Sequence, residues 1–135
     1  MAFIPYSNDK NEQSAITVDK YGRLCLSAGL RRKLGCENEE IELILFFEEE
    51  TRRIGIAKEY PGKYKPFKFD KGHGYSESKA KDFLHDNGIE YRDGSVRYHY
   101  DGTYNGVMVF KASREYIVTN LTFKQEKNGN LVRER

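Results

Sequence analysis

The sequence has no long hydrophobic run and no recognisable targeting segment. Nowhere do about 18 uncharged apolar residues follow one another, which is the length that a membrane-spanning helix needs. The first residues, MAFIPYSNDKNEQS, lack the basic segment and the apolar stretch of about 7 to 15 residues that make up a secretory signal. We therefore expect a cytoplasmic protein with no membrane partner.

Cysteine and histidine are too few and too scattered to indicate a metal or catalytic centre. Cys25 and Cys36 stand between apolar neighbours and belong to no CxxC pattern, so we expect small core residues in a reducing compartment. His73, His85 and His99 show no HxxxH or HExxH spacing. No Ser/His/Asp, Cys/His or paired-carboxylate arrangement is visible either. We expect no metal, no cofactor and no enzymatic activity.

A strong excess of positive charge is also lacking. The net charge of +2 is too small to indicate a nucleic-acid partner by itself. Residues 1–60 hold 9 Lys and Arg against 11 Asp and Glu, a net charge of −2, whereas residues 61–135 hold 14 against 10, a net charge of +4. If the first half binds DNA, it must do so through the local placement of its arginines.

What the chain does have is aromatic residues and two stretches of regular pattern. Aromatics make up 13% of the chain and ten of them are tyrosines, which supplies large side chains for a core. In the first stretch, AITVD and RLCL predict two short strands with KYG as their turn. Ser27 is placed to cap a helix from Ala28 to Leu34, and Gly35 stands where a left-handed residue ends such a helix. IELILFF and RIGIA then predict two further strands.

The second stretch predicts a helix followed by a meander of strands. SESKAKDFLHDN has an amphipathic pattern, with Ser76 as its N-cap and Gly88 at its end. Strands are expected at residues 89–91, 96–100, 107–112 and 116–123, with Val96, Tyr98 and Tyr100 on one face and Arg97 and His99 on the other. We divide the chain into a flexible leader at 1–13, a first domain at 14–60, a linker at 61–75, a second domain at 76–124 and a polar tail at 125–135.

VDKYGRLCLSAGLRRKLG, with the charged turn and IEL that follow, resembles the DNA-binding domain of the AbrB transition-state regulators and their swapped-hairpin relatives. The resemblance covers about residues 16–60. It is carried by the valine–aspartate pair, the glycine–arginine turn, the leucine–arginine–arginine helix and the leucine–glycine stop. It implies a mainly β fold with short helices (α+β), in which two chains exchange hairpins to form a β-barrel dimer. The helix packed on an antiparallel meander would follow this barrel.

The resemblance also implies a function: a homodimeric, transcription-regulator-like protein that binds duplex DNA. The positions that match the family's DNA contacts are Arg23 in the turn and Arg31 and Arg32 in the helix, and we add the neighbouring Lys33. Guanidinium groups clamp phosphates and bind guanine edges through two hydrogen bonds, and a dimer doubles their number.

Other interpretations of the same residues stay open. From helical periodicity alone, Arg31, Arg32 and Lys33 are the solvated side of a helix whose other side is apolar. The acidic balance of the first half, and Ile16 where the AbrB regulators carry an arginine, favour an interaction or inhibitor module that has lost DNA binding and contacts a protein through its second domain. An antitoxin-like role is a further alternative. The aromatics of the second half could also form a base-stacking platform on an open sheet, together with the basic residues interleaved among them, Arg92, Arg97, Lys111 and Arg114.

Overall fold

Alternating apolar residues form seven strands in the computed structural model, which describes residues 13–112. The strands are β1 (Ala15–Val18), β2 (Leu24–Leu26), β3 (Ile41–Glu48), β4 (Arg53–Ala57), β5 (Phe67–Phe69), β6 (Val96–Tyr104) and β7 (Val107–Ala112). Two helices of seven residues each, α1 (Ala28–Leu34) and α2 (Ala80–Asp86), lie between them. The described chain is therefore mainly β with short helices, as the sequence predicts.

The seven strands form one antiparallel sheet that nearly closes into a barrel. The strand order is β2-β1-β6-β7-β4-β3-β5. Tyr75 and Ser76 fill the gap between the outer strands, since Cys25 of β2 bridges to Tyr75 and Phe69 of β5 bridges to Ser76. The Ser76 N–H donates to the Leu24 carbonyl oxygen at 2.8 Å. This short segment covers the backbone edges that open sheets leave exposed.

The barrel interior is one hydrophobic core, to which both halves of the sequence contribute. Alternate residues of each strand point inward, and the helices add Leu30 from α1 and Leu84 from α2. The largest fully buried side chains are Phe69, Phe110, Ile16, Leu24, Leu30, Leu43, Ile54, Ile56, Leu84 and Val18. Burial of this apolar surface is the main favourable term in folding.

The first hairpin and α1 form as their local sequence predicts. Gly22 has a φ of 80° in the β1–β2 turn, a conformation that glycine adopts at little cost. The Ser27 hydroxyl accepts a hydrogen bond from the Leu30 N–H and thereby caps α1, and Gly35 ends the helix with a φ of 75°. Both helix ends are thus satisfied by the residues that the pattern indicates.

The division into two domains does not describe residues 13–112. β1 of the predicted first domain pairs with β6 of the second, and β4 pairs with β7. The predicted linker contains β5, which pairs with β3 and buries Phe69 completely. The alternation Phe67, Lys68, Phe69 was the strand signal within that segment. The prediction of a linker at 61–75 is therefore wrong for 67–69.

The beginning of α2 also differs from its prediction. Ser76 is not the N-cap, because its hydroxyl accepts a hydrogen bond from the Leu24 N–H at 2.9 Å across the barrel closure. The helix begins at Ala80 instead, with Lys79 at the cap position and no side-chain capping bond. A cap prediction from sequence cannot detect that a residue 52 positions away competes for the same hydroxyl.

One predicted strand is corrected as well. Residues 89–91 form no strand, because the Ile89 N–H donates to the Leu84 carbonyl oxygen at the end of α2, and the Glu90 carboxylate accepts the N–H of Tyr91. On β6, Val96 and Tyr98 are buried, but Tyr100 is 38% exposed, next to a register shift between residues 100 and 103.

The predicted leader up to residue 12, the strand at 116–123 and the tail at 125–135 lie outside the described residues. Neither helix found within residues 13–112 has the length and apolar character to cross a membrane.

Candidate nucleic-acid interface

The four basic residues predicted to bind DNA lie in very different surroundings. Arg31 is 9% exposed and turns inward from α1. Its Nη2 donates to the Lys71 carbonyl oxygen at 2.6 Å and its Nη1 to the Gly72 carbonyl oxygen at 3.3 Å. The guanidinium therefore holds the loop before Tyr75. Because it points into the protein, it does not project outward as a side chain that enters a DNA groove would.

Arg32 and Lys33 lie closer to solvent on the same helix. Arg32 Nη1 is 3.2 Å from the Glu37 carboxylate, an exposed ion pair. Lys33 Nζ lies 4.4 Å from the centre of the Tyr100 ring. The two cations are thus drawn toward neighbours of opposite charge or aromatic character, and Arg31 does not join them in a common basic row.

Arg23 has 38% of its side chain exposed and is held in a fixed orientation by two neighbours. Its Nε donates to the Asp19 carboxylate at 2.7 Å, and its guanidinium carbon lies 3.9 Å from the centre of the Tyr75 ring. Partial burial alone would raise the pKa of Asp19, but hydrogen bonds from the Arg23 backbone and guanidinium and from the Tyr21 N–H lower it. The hydrogen bond to Asp19 raises the pKa of Arg23. The pair stays ionised.

The loop that carries Tyr75 is tightly tied. The Asp70 carboxylate accepts hydrogen bonds from the backbone N–H groups of His73, Gly74 and Tyr75. Burial acts to raise the pKa of Asp70, but these three donors together lower it below its usual value. Arg31 holds the loop from the other side, and the Gly74 carbonyl oxygen accepts the Leu26 N–H at 3.1 Å. The loop is therefore a rigid support for the aromatic rings at its end.

Further rings and cations surround Arg23. His73 is exposed and stacks on Tyr75, with ring centres 4.9 Å apart and an angle of 15° between the planes. Tyr21, at the tip of the β1–β2 turn, is 59% exposed, and both Lys20 and Arg23 lie 5.3 Å from its ring centre. The Arg23 guanidinium is therefore close to both aromatic groups, Tyr21 on one hand and the stacked Tyr75 and His73 rings on the other.

The strand register adds one more cation to this face. Thr17 of β1 lies opposite Arg97 of β6 on one side and Cys25 of β2 on the other, and Cys25 bridges to Tyr75. Arg97 is exposed, with Nη1 3.5 Å from the Thr17 hydroxyl. Side chains paired in this way share one face of a sheet. We call the Arg23 surface the set formed by Lys20, Tyr21, Arg23, His73, Tyr75 and Arg97.

The prediction that both cysteines are core residues holds for Cys36, which is buried in the core. It is wrong for Cys25, which lies on this outer face and is only half-buried. Burial raises the pKa of both thiols, so both are protonated near neutral pH. Within the described residues, no group of three or more His, Cys, Asp or Glu side chains is arranged to hold a metal ion.

The sequence indicated Arg23 but not the aromatic partners of the Arg23 surface. Tyr75 and His73 belong to GHGY, which reads as a linker, and only the barrel closure brings that segment beside β2. Arg97 is one of several basic residues interleaved with aromatics in the second half of the sequence. The turn residues Lys20 and Tyr21 carried a usable signal, since a turn tip is normally exposed.

Comparison of the chain with protein-family models, curated proteins and solved structures finds no match.

Proposed function

We propose that this protein binds nucleic acid, and DNA in particular, through the Arg23 surface. The observation that carries the proposal is the state of the Arg23 guanidinium. Asp19 and Tyr75 fix its orientation, but the bond to Asp19 uses only Nε, and among residues 13–112 Nη1 and Nη2 make no hydrogen bond. A planar guanidinium with two free donor groups matches the geometry of a phosphate.

The charges around Arg23 favour a polyanion. Lys20 and Arg97 add two exposed positive charges. The Asp19 carboxylate is 18% exposed and neutralised by Arg23, and the Asp70 carboxylate is occupied by three backbone donors. With Lys20, Arg23 and Arg97 counted against Asp19 and Asp70, this group of five side chains has a net charge of +1, whereas the first 60 residues have a net charge of −2. A role in transcription regulation, which the AbrB resemblance implies, forms part of the same proposal.

Fluorescence anisotropy with labelled DNA tests the proposal. Arg23→Ala should weaken binding, and each lost phosphate contact should flatten the plot of log affinity against log salt by about 0.9 for a duplex. Lys58→Ala is the control, because Lys58 is an exposed cation directly after β4, a strand that pairs with neither β1 nor β2. Equal binding by the two variants, or no binding by the wild type, would refute the proposal.

We also propose that the protein forms a homodimer by exchange of hairpins. β1 pairs with β2 and with β6 within one chain, so an exchange of the β1–β2 hairpin would keep the first pairing within the chain and place the β1–β6 pairing between two chains. Such exchange is a low-cost route to a dimer, because it creates few new contacts. Light scattering coupled to gel filtration measures the mass directly. A monomer at all accessible concentrations would remove the dimer while leaving DNA binding by the Arg23 surface intact.

A second candidate function, the protein-interaction module, is favoured by an apolar groove on the outer face of the sheet. Phe46, Val107, Val109 and Tyr104 line this groove of about 340 Å³. Gly55 lies between Phe46 and Val109 across the strands, and Val107 packs closely over it, since a Cβ at this position would be 2.7 Å from Val107 Cγ1. Capture of a stoichiometric protein partner after nuclease treatment, and its loss in Val109→Lys but not in Arg23→Ala, would favour this function over DNA binding.

A further inference from the structure

We infer that the Arg23 surface binds single-stranded nucleic acid in preference to duplex, an inference that rests on the proposed nucleic-acid binding. The motivating feature is the combination of exposed rings and cations on the outside of a small barrel. Single-strand binding surfaces combine a positive track for the backbone with aromatic side chains on which bases stack. The Arg23 surface carries both components.

The helix that would read a duplex is not equipped to do so. α1 has seven residues, and of its three basic residues Arg31 is turned into the protein to bind loop carbonyl oxygens. Direct readout needs several side chains of one element that reach base edges in the major groove. With Arg31 engaged, α1 presents no such row.

The aromatic rings are placed to meet unpaired bases. Tyr21 is the most exposed large hydrophobic side chain among residues 13–112, at 59%, and its ring stands at the tip of a turn. His73 is exposed and lies flat against Tyr75. In a duplex the faces of the bases are covered by their neighbours, so exposed rings of this kind gain little from it. In a single strand the bases can splay out and stack on them.

The support beneath these rings is rigid, which lowers the entropy lost on binding. Asp70 and Arg31 tie the loop that carries His73 and Tyr75. Gly22 lets the β1–β2 turn pack closely on Tyr91, because a Cβ at this position would be 2.9 Å from the ring. The backbone segments that carry both aromatic groups are thereby held in place near Arg23.

The cations are spaced so that they can follow a backbone past these rings. Lys20 lies on the turn beside Tyr21, and Arg23 lies between Tyr21 and Tyr75. Arg97 lies two strands away from Cys25, in the same row of paired residues across β1. Neighbouring strands are about 4.8 Å apart, so Arg97 lies about 10 Å from Cys25 across β1, and Arg23 is two residues before Cys25 in the chain. That distance suits a few nucleotides.

The test compares three labelled ligands of one mixed sequence of about 20 nucleotides, a length above the usual site size: single-stranded DNA, single-stranded RNA and the DNA duplex. We expect both single strands to bind the wild-type protein at least about 10-fold more tightly than the duplex at equal salt. Tyr21→Ala should weaken single-strand binding by about 5- to 100-fold, the range expected for one lost stacking contact. Tyr21→Phe should bind like the wild type.

Salt dependence separates stacking from charge. Tyr21→Ala should leave the slope of log affinity against log salt unchanged, whereas Arg23→Ala should flatten it by about 0.7 for a single strand. Tyr104→Ala is the matched control, because Tyr104 is also 54% exposed but lies at the β6–β7 turn. A duplex bound as tightly as the single strands would overturn the single-strand preference alone. Equal effects of Tyr21→Ala and Tyr104→Ala would overturn its assignment to the Arg23 surface. No binding to any ligand would overturn the proposed function as well.

Discussion

Arg31 Nη2 donates a hydrogen bond of 2.6 Å to the carbonyl oxygen of Lys71, forty residues further along the chain. The guanidinium is charged, nearly buried and directed at two backbone carbonyl oxygens, so it fastens the loop at 70–75 onto α1. A residue that the family pattern assigns to DNA thus has a structural task in this chain. The candidate interface moves accordingly from α1 to the neighbouring turn and loop.

Replacement of Arg31 should therefore reduce stability. We expect Arg31→Ala to lower the free energy of unfolding by about 2 to 3 kcal/mol, since hydrogen bonds to charged groups contribute about 1.5 to 3 kcal/mol and two carbonyl oxygens lose their donor. Arg32→Ala serves as control and should change it by about 0.5 kcal/mol or less, as exposed ion pairs contribute little. Urea denaturation measures both. Equal effects would show that Arg31 does not fasten the loop.

Acid should loosen the same loop through Asp70. Its pKa is lowered from the usual 3.8, so the ionised carboxylate stabilises the fold above that pH, and the contribution is lost as pH falls through the lower pKa of the folded state. Asp70→Asn should cost about 0.5 kcal/mol at neutral pH, because the group is exposed and screened. The difference in unfolding free energy between wild type and Asp70→Asn should shrink below pH 3.8. A difference that is constant with pH would contradict this assignment.

Replacement by alanine should destabilise the fold to different extents at two glycines that have left-handed conformations. Gly35 has a φ of 75° and nothing within 4 Å of an added Cβ, so Gly35→Ala should cost only the conformational penalty, about 1 to 2 kcal/mol. Gly22 has a φ of 80°, and its Cβ would meet the buried Tyr91 ring at 2.9 Å. Gly22→Ala should lose about 1 to 3 kcal/mol more through overpacking. Thermal unfolding compares them, and equal shifts would contradict the close approach to Tyr91.

Closure of the barrel should depend on the Ser76 hydroxyl. Ser76→Ala leaves the Leu24 N–H without this buried acceptor, which should cost about 1 to 3 kcal/mol. Ser78→Ala, at an exposed position, should be close to neutral. Amide hydrogen exchange locates the effect: exchange at Leu24 should accelerate while the amides of α2 keep their protection. Loss of protection in α2 instead would mean that Ser76 acts as the helix cap.

The elements that sequence predicts well are those whose determinants are close along the chain. The β1–β2 hairpin, α1 with its caps Ser27 and Gly35, and the pair β3–β4 all form as expected. Their signals are turn glycines, a capping hydroxyl and alternating apolar residues, which act within a few positions. The same reasoning fails for Ser76 and for residues 89–91, where groups distant in sequence or at a helix end take the hydrogen bonds.

The sequence by itself determined the mainly β character, the two short helices and Arg23 as the leading candidate residue. Only the tertiary structure decided that both halves share one sheet, that Arg31 points inward, and that Tyr75 meets Arg23. These outcomes depend on the strand order β2-β1-β6-β7-β4-β3-β5 and on its closure by residues 75 and 76. Local propensity cannot specify that order, because it results from burying one common core that draws apolar side chains from the whole described chain.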